Sequence, residues 1–186
     1  MKKGEKRYGF TVIEVALVIA VAGVIFLMVI VALPALRASQ RDATRRENVI
    51  SFINKVKQYQ KDNRGTLPGS ADNLSDGRTV EVSWNDDDLE TSDPTSWAGF
   101  YRDYLGANFF DPNGEHYQLK IRRCDVNIVG EDCGFSIEGE PFPNNYEIIV
   151  ATSAVCKGQQ IVQTNNQRKL AAAYRLESGG VYCENT

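Results

Sequence analysis

In the first part of the chain the hydrophobic positions are contiguous rather than spaced. Val15 to Leu33 gives nineteen consecutive residues without a charged or strongly polar side chain, and the apolar character reaches back to Phe10 and on to Leu36. A helix of that length spans a bilayer. Beyond Leu36 the spacing becomes helical. Val49, Phe52 or Ile53, Val56 and Tyr59 recur at steps of three and four, with Arg41, Arg45, Arg46, Lys55, Lys57 and Lys61 between them. Asn63-Arg64-Gly65, followed by Pro68, provides the stop. One helix from Phe10 to about Asn63 is predicted, about 80 Å long at 1.5 Å per residue. Pro34 lacks a backbone donor and clashes one turn back, so a kink or a melted turn is expected there.

Residues 66–109 read as a long polar connection holding Trp97, Phe100, Tyr101, Tyr104 and Leu105 at helical spacing. They predict a short amphipathic helix near 96–106, its aromatics serving as core rather than as a ligand platform. Asp111-Pro112-Asn113-Gly114 is a turn, and Tyr117, Leu119 and Ile121 then alternate as a strand does. Further strands are expected at 135–138, 146–151, 160–164, 168–176 and 180–183, with Ser178-Gly179-Gly180 as the last hairpin turn. The predicted class is α+β, a long N-terminal helix packed against a small antiparallel sheet.

Charge divides the chain into four parts. Residues 1–9 carry Lys2, Lys3, Lys6 and Arg7 against Glu5, residues 10–36 only Glu14, residues 37–64 a balance of +5, and residues 65–186 a balance of −10. The basic leader holds the N-terminus in the cytoplasm and places everything after Leu36 outside. The parts are thus a leader (1–9), a membrane helix (10–36), an amphipathic stem (37–64) and an extracytoplasmic head (65–186). An acidic head repels nucleic acid, so DNA or RNA is not an expected partner. An ordinary secretory signal fits poorly, since its apolar core is shorter and ends at a small-x-small site. A plain anchor leaves Glu14 unexplained, because a carboxylate inside a membrane helix is costly and usually marks function.

The residues around that carboxylate, Gly9-Phe10-Thr11-Val12-Ile13-Glu14, resemble the N-terminal signature of type IV pilins and pseudopilins. The resemblance implies that a prepilin peptidase cuts between Gly9 and Phe10 and that the new amino group of Phe10 is methylated. It also implies an assembly ATPase and a platform protein as partners. Cutting there removes the leader and creates an ammonium at Phe10, one helical turn from Glu14. In a staggered stack of subunits, the ammonium of one copy can meet Glu14 of another, fixing register in a low-dielectric setting. Gly23 and Pro34 would let the stem extend on packing. The basic run at Arg37, Arg41, Arg45 and Arg46 reads as a solvated face at the headgroups that could meet acidic heads in a fibre. The implied function is a filament subunit for adhesion, motility or uptake. The alternatives are a pseudopilin of a type II secretion or DNA-uptake system and a single-pass anchored binding domain. The Asp-Pro-x-Gly-x-x-Tyr turn, Asp111 to Tyr117, also resembles this family.

Four cysteines facing an oxidising exterior read as two disulfides. Of three pairings, sequence order makes Cys124–Cys133 and Cys156–Cys183 the simplest, and the family often staples its C-terminal region in a similar way. Spacings of nine, twenty-three and twenty-seven, with one histidine, argue against a zinc site. Asp86, Asp87, Asp88, Glu90 and Asp93 are a candidate calcium cluster but lack the Asp-x-Asp-x-Asp-Gly pattern, so a solvated acidic loop is the expectation. No catalytic motif is found. Gly134-Phe135-Ser136-Ile137-Glu138 lacks the second glycine of a nucleophile elbow, and His116 reads as a turn or surface residue.

Overall fold

The computed structural model describes residues 9–69, 74, 79–87, 89–124, 133 and 146–186. The chain divides into two compact units, residues 1–40 and 41–186, and helix α1 (Val12–Asp62) begins in the first and ends in the second.

In the first unit every described residue except Ala38 is exposed, apolar side chains included. A helix apolar on all sides has no core face of its own, and this one is long and apolar enough to cross a membrane. Of the two expectations at Pro34, the melted turn is not found. Pro34 lies inside α1, as does Gly23, with helical backbone on both sides. One missing donor to the Ile30 carbonyl does not stop a helix that has intact turns before and after it, because propagation is cheap once a helix is nucleated.

In the second unit the helical periodicity becomes a buried stripe. Val49, Phe52, Ile53, Val56 and Tyr59 are buried, and the residues between them are largely exposed. The helix ends as predicted. Gly65, at φ 84°, donates its N–H to the Gln60 carbonyl at 2.6 Å, a conformation that favours glycine. The remaining elements are β1 (Thr79–Val82), α2 (Trp97–Phe100) running into a π-helical turn (Tyr101–Leu105), β2 (Gln118–Arg123), β3 (Glu147–Thr152), β4 (Ala154–Lys157), β5 (Gln160–Gln163), β6 (Leu170–Arg175) and β7 (Val181–Asn185). The expected helix near 96–106 is therefore real. Ser96 caps it, accepting from the Gly99 N–H at 3.0 Å. The expected strand at 135–138 lies outside the described residues.

Five strands form one sheet in the order β1-β2-β3-β6-β7, and β4 pairs with β5 in a separate hairpin. The α+β class holds, but the sheet is mixed rather than purely antiparallel. β2 and β3 run parallel, with Leu119 opposite Ile148 and Ile121 opposite Val150. A parallel pair needs a connection of a dozen residues or more, and twenty-three residues separate β2 from β3 in the sequence. The sequence reading also missed β1, which lies in the polar connection, and β4.

Alternation along the central strands builds two cores. Ile148, Val150, Leu170, Ala172 and Tyr174 share one cluster with Val49, Phe52, Val56 and the aromatics Trp97, Phe100 and Tyr101. On the opposite face, Ile149, Ala151, Ala171 and Ala173 cluster with Ala154 and Ile161 of the β4–β5 hairpin. The three alanines keep that face shallow, so the hairpin lies close. Both disulfides belong to this second layer. Cys124 is bonded to Cys133, and Cys156 of β4 to Cys183 of β7, the simplest pairing by sequence order.

Candidate functional site on the long helix

Gly9 and Phe10 precede α1, are not helical and are exposed, Phe10 at 89%. Thr11 and Glu14 then form a reciprocal cap. The Thr11 N–H and hydroxyl donate to Glu14 Oε2 at 2.9 and 2.8 Å, and the Glu14 N–H donates to Thr11 Oγ1 at 3.3 Å. This is the Thr-x-x-Glu capping box, which satisfies backbone donors that the first turn of a helix cannot pair internally. The spacing Thr11-Val12-Ile13-Glu14 carries this signal in the sequence itself. Only Oε2 is engaged; Glu14 Oε1 makes no hydrogen bond among the described residues.

The second unit contains a charge cluster where the basic run was expected to face solvent. Arg45 is fully buried. Its Nε and Nη2 donate to the two oxygens of Asp111 at 2.6 and 3.1 Å, and its Nη1 reaches Glu177 at 2.5 Å and Asp42 at 3.3 Å. Asp111 and Asp42 are themselves buried. Arg41 donates to both oxygens of Glu177, from Nε at 3.0 and 3.2 Å and from Nη2 at 2.6 Å. Asp42 accepts the backbone N–H groups of Glu177 and Ser178, each at 2.9 Å, so it grips the turn between β6 and β7. The Tyr174 hydroxyl donates to Asp111 Oδ2 at 3.3 Å, and the Arg45 guanidinium lies 5.6 Å from the Tyr174 ring centroid. Close by, Asn48 Nδ2 donates to the Tyr117 hydroxyl at 3.1 Å.

The expectation for the basic run is therefore corrected at Arg41 and Arg45. Their charge is neutralised within the same chain, because Arg45 falls on the buried stripe one turn before Val49 and three carboxylates meet it there. Arg46 instead lies 5.9 Å from the Tyr182 ring centroid, and Arg37 is exposed. Burial pushes the Asp42 carboxyl up, but hydrogen bonds from Ser178, Glu177 and Arg45 outweigh it and hold the group below the usual carboxylate range. Hydrogen bonds from Arg41 hold the Glu177 carboxyl down in the same way. Burial pushes the Tyr174 hydroxyl up, reinforced by Asp111, so it stays a donor.

Asp111 owes its position to the predicted turn. Its N–H donates to the Glu115 carbonyl at 2.7 Å, its carbonyl accepts from Gly114 at 2.8 Å, and its Oδ1 accepts from the Asn113 N–H at 2.9 Å. His116 closes that turn through a bridge to Phe110 but is half-buried, with its ring stacked 5.9 Å from Trp84. In the acidic loop the carboxylates serve local turns. Asp86 accepts from the Ser83 N–H at 2.7 Å and Asp93 from the Thr95 N–H at 2.7 Å. Asp88 lies outside the described residues, among which no three acidic, histidine or cysteine side chains converge on a metal-sized space. Compared with protein-family models, curated proteins and solved structures, the chain gives no match.

Proposed function

We propose that this chain is a type IV pilin-like subunit, trimmed after Gly9 and assembled through its N-terminal helix into a filament. The observation that carries this reading is the junction Gly9-Phe10 followed four residues later by Glu14, at the head of a helix whose apolar side chains are exposed all round. Three features support it. The junction is non-helical and exposed, which suits access by a peptidase. The helix from Val12 to Leu36 can cross a membrane before assembly, and in a fibre other copies of the same helix would cover it. Glu14 keeps one carboxylate oxygen outside the capping box, available to the Phe10 ammonium of a neighbouring copy.

The capping box favours a second reading, in which Glu14 only starts the helix of a single-pass anchored ectodomain. Intact-mass measurement of the protein recovered from a host with a prepilin peptidase separates the two. A mature chain starting at Phe10 supports the filament reading, whereas Met1 as first residue overturns it. Two substitutions then divide the roles of Glu14. Glu14→Gln keeps an oxygen for the cap but removes the charge, and Thr11→Val breaks the cap but keeps the carboxylate. Loss of fibres in Glu14→Gln with fibres retained in Thr11→Val is the expected pattern, and the reverse contradicts a role in register.

A further inference from the structure

At the far end of α1 lies a cleft of about 460 Å³, away from the arginine cluster. That volume falls in the range of small-molecule sites. Two guanidinium side chains border it, Arg123 at the end of β2 and Arg168 in the loop before β6, together with Thr152 and Ser153. Neither arginine has an acidic partner among the described residues, unlike Arg41, Arg45 and Arg102. In a region carrying a balance of −10, two guanidinium groups that border one cleft without an acidic partner among the described residues concentrate positive charge there.

Backbone pairing and hydrogen bonds anchor the side of the cleft formed by β2, β3 and the loop before β6. Arg123 is opposite Thr152 in the parallel register. Ser153 is 2% exposed and takes a left-handed conformation, φ 57°, where the chain leaves the main sheet for the β4–β5 hairpin. Its N–H donates to the Lys169 carbonyl and its carbonyl accepts from the Thr164 N–H, both at 2.8 Å. The Arg168 carbonyl accepts from Gln60 Nε2 at 2.8 Å, which ties that loop to the end of α1. The Arg168 Nη1 lies 3.5 Å from where a Cβ on Gly65 would sit, so the guanidinium lies over the glycine that ends the helix. The negative end of the helix dipole accounts for one cation there; it does not account for the second. Leu67 and Leu74 line the same cleft and give it an apolar wall.

We infer that this cleft binds a small organic acid, its carboxylate or phosphate held between Arg123 and Arg168 and its apolar portion against Leu67 and Leu74. Guanidinium groups suit this task because their planar donor forks match oxyanions. The test uses the full chain in detergent micelles with benzoate as probe, inorganic phosphate as the purely ionic comparison and benzamide as the neutral one, read by ligand-observed NMR. Saturable benzoate binding in the millimolar range is expected, with phosphate weaker and benzamide silent. Arg123→Gln and Arg168→Gln should each weaken benzoate about tenfold. Arg122→Gln, which removes a neighbouring charge that does not line the cleft, should change it less than about twofold. Near-ultraviolet circular dichroism confirms that each variant is folded. Absence of saturation up to about 50 mM overturns the inference. So does equal weakening by Arg122→Gln, which would mark diffuse attraction. Equal affinity for phosphate and benzoate would overturn the organic-acid assignment.

Discussion

Replacing Arg45 by methionine removes a cation that meets two buried aspartates, Asp42 and Asp111, while keeping most of the side-chain volume. In the native chain Arg45 is fully buried and in contact with Asp42, Asp111 and Glu177, of which Asp42 and Asp111 are 3% and 1% exposed. Without the guanidinium, Asp111 keeps the Tyr174 hydroxyl and the Asn113 N–H, and Asp42 keeps two backbone N–H groups. Neither has a counter-ion left at contact distance among the described residues. Breaking a buried ion pair from one side costs about 3–5 kcal/mol, because the abandoned charge stays out of water. For a domain of this size each kcal/mol lowers the melting temperature by about 2–4 °C, so a drop of about 6–20 °C is expected. Arg45→Lys, which keeps the charge but loses the fork to Asp111, should fall between wild type and Arg45→Met. Denaturant and thermal unfolding followed by tryptophan emission provide the measurement, since Trp97 is buried in the core adjoining the helix. A loss below about 1 kcal/mol for Arg45→Met would refute the reasoning, because surface ion pairs are worth that little and Arg45 would then be behaving as one.

Acid should act through the same cluster. The Asp42 and Glu177 carboxyls are held below their ordinary values in the folded chain, so their contribution is complete above about pH 5 and is lost as the pH falls through the folded values. Melting temperature should therefore be flat from neutral to about pH 5 and then fall, with a shallower fall in Asp42→Asn. Removing the Cys156–Cys183 bridge by double alanine substitution should cost about 3.5 kcal/mol, against about 2.5 for Cys124–Cys133, as judged from denaturation midpoints. Gly99→Ala should destabilise the head by at least about 1–3 kcal/mol, because the added Cβ would sit 2.2 Å from the Asp93 carbonyl oxygen and 2.7 Å from Pro94 Cα. A wild-type melting curve for Gly99→Ala would show that the loop before α2 yields freely.

The sequence made some features plain and hid others, for physical reasons that differ by residue. The long helix, its stop at Gly65, the aromatic helix at Trp97 and most strands were legible because hydrophobic period and turn chemistry agree there. The parallel pairing of β2 with β3 was not. Strand direction depends on the path of the intervening crossover, and nothing in Ile121 or Ile149 records it. β1 was missed because Thr79-Val80-Glu81-Val82 is a short alternation within a polar stretch, and β4 because it follows β3 after the single residue Ser153. The arginine cluster shows composition and period in conflict. Arg45 occupies a core position of the helix stripe, but its type argues for solvent. Period won because Asp42 lies one turn before it and the Asp111 turn supplies a second carboxylate. The capping box could have been read from Thr11 and Glu14 alone, whereas the oxyanion cleft could not, since Gly65, Arg123 and Arg168 meet only in the folded chain.

The grip of Asp42 on the β6–β7 turn joins groups 135 and 136 residues apart. Asp42 lies on α1 and its partners in the turn between β6 and β7, so this contact cannot form until the chain between them has been made. A nascent protein stopped before Glu177 would leave Arg45 without one of its three carboxylates and Asp42 without the two backbone N–H groups it accepts, and contacts of such long sequence separation form late. Completion of this contact is thus tied to synthesis of Glu177 and Ser178. A chain cut before Glu177 should be open to proteolysis around Asp42, however well the rest of the sheet has paired.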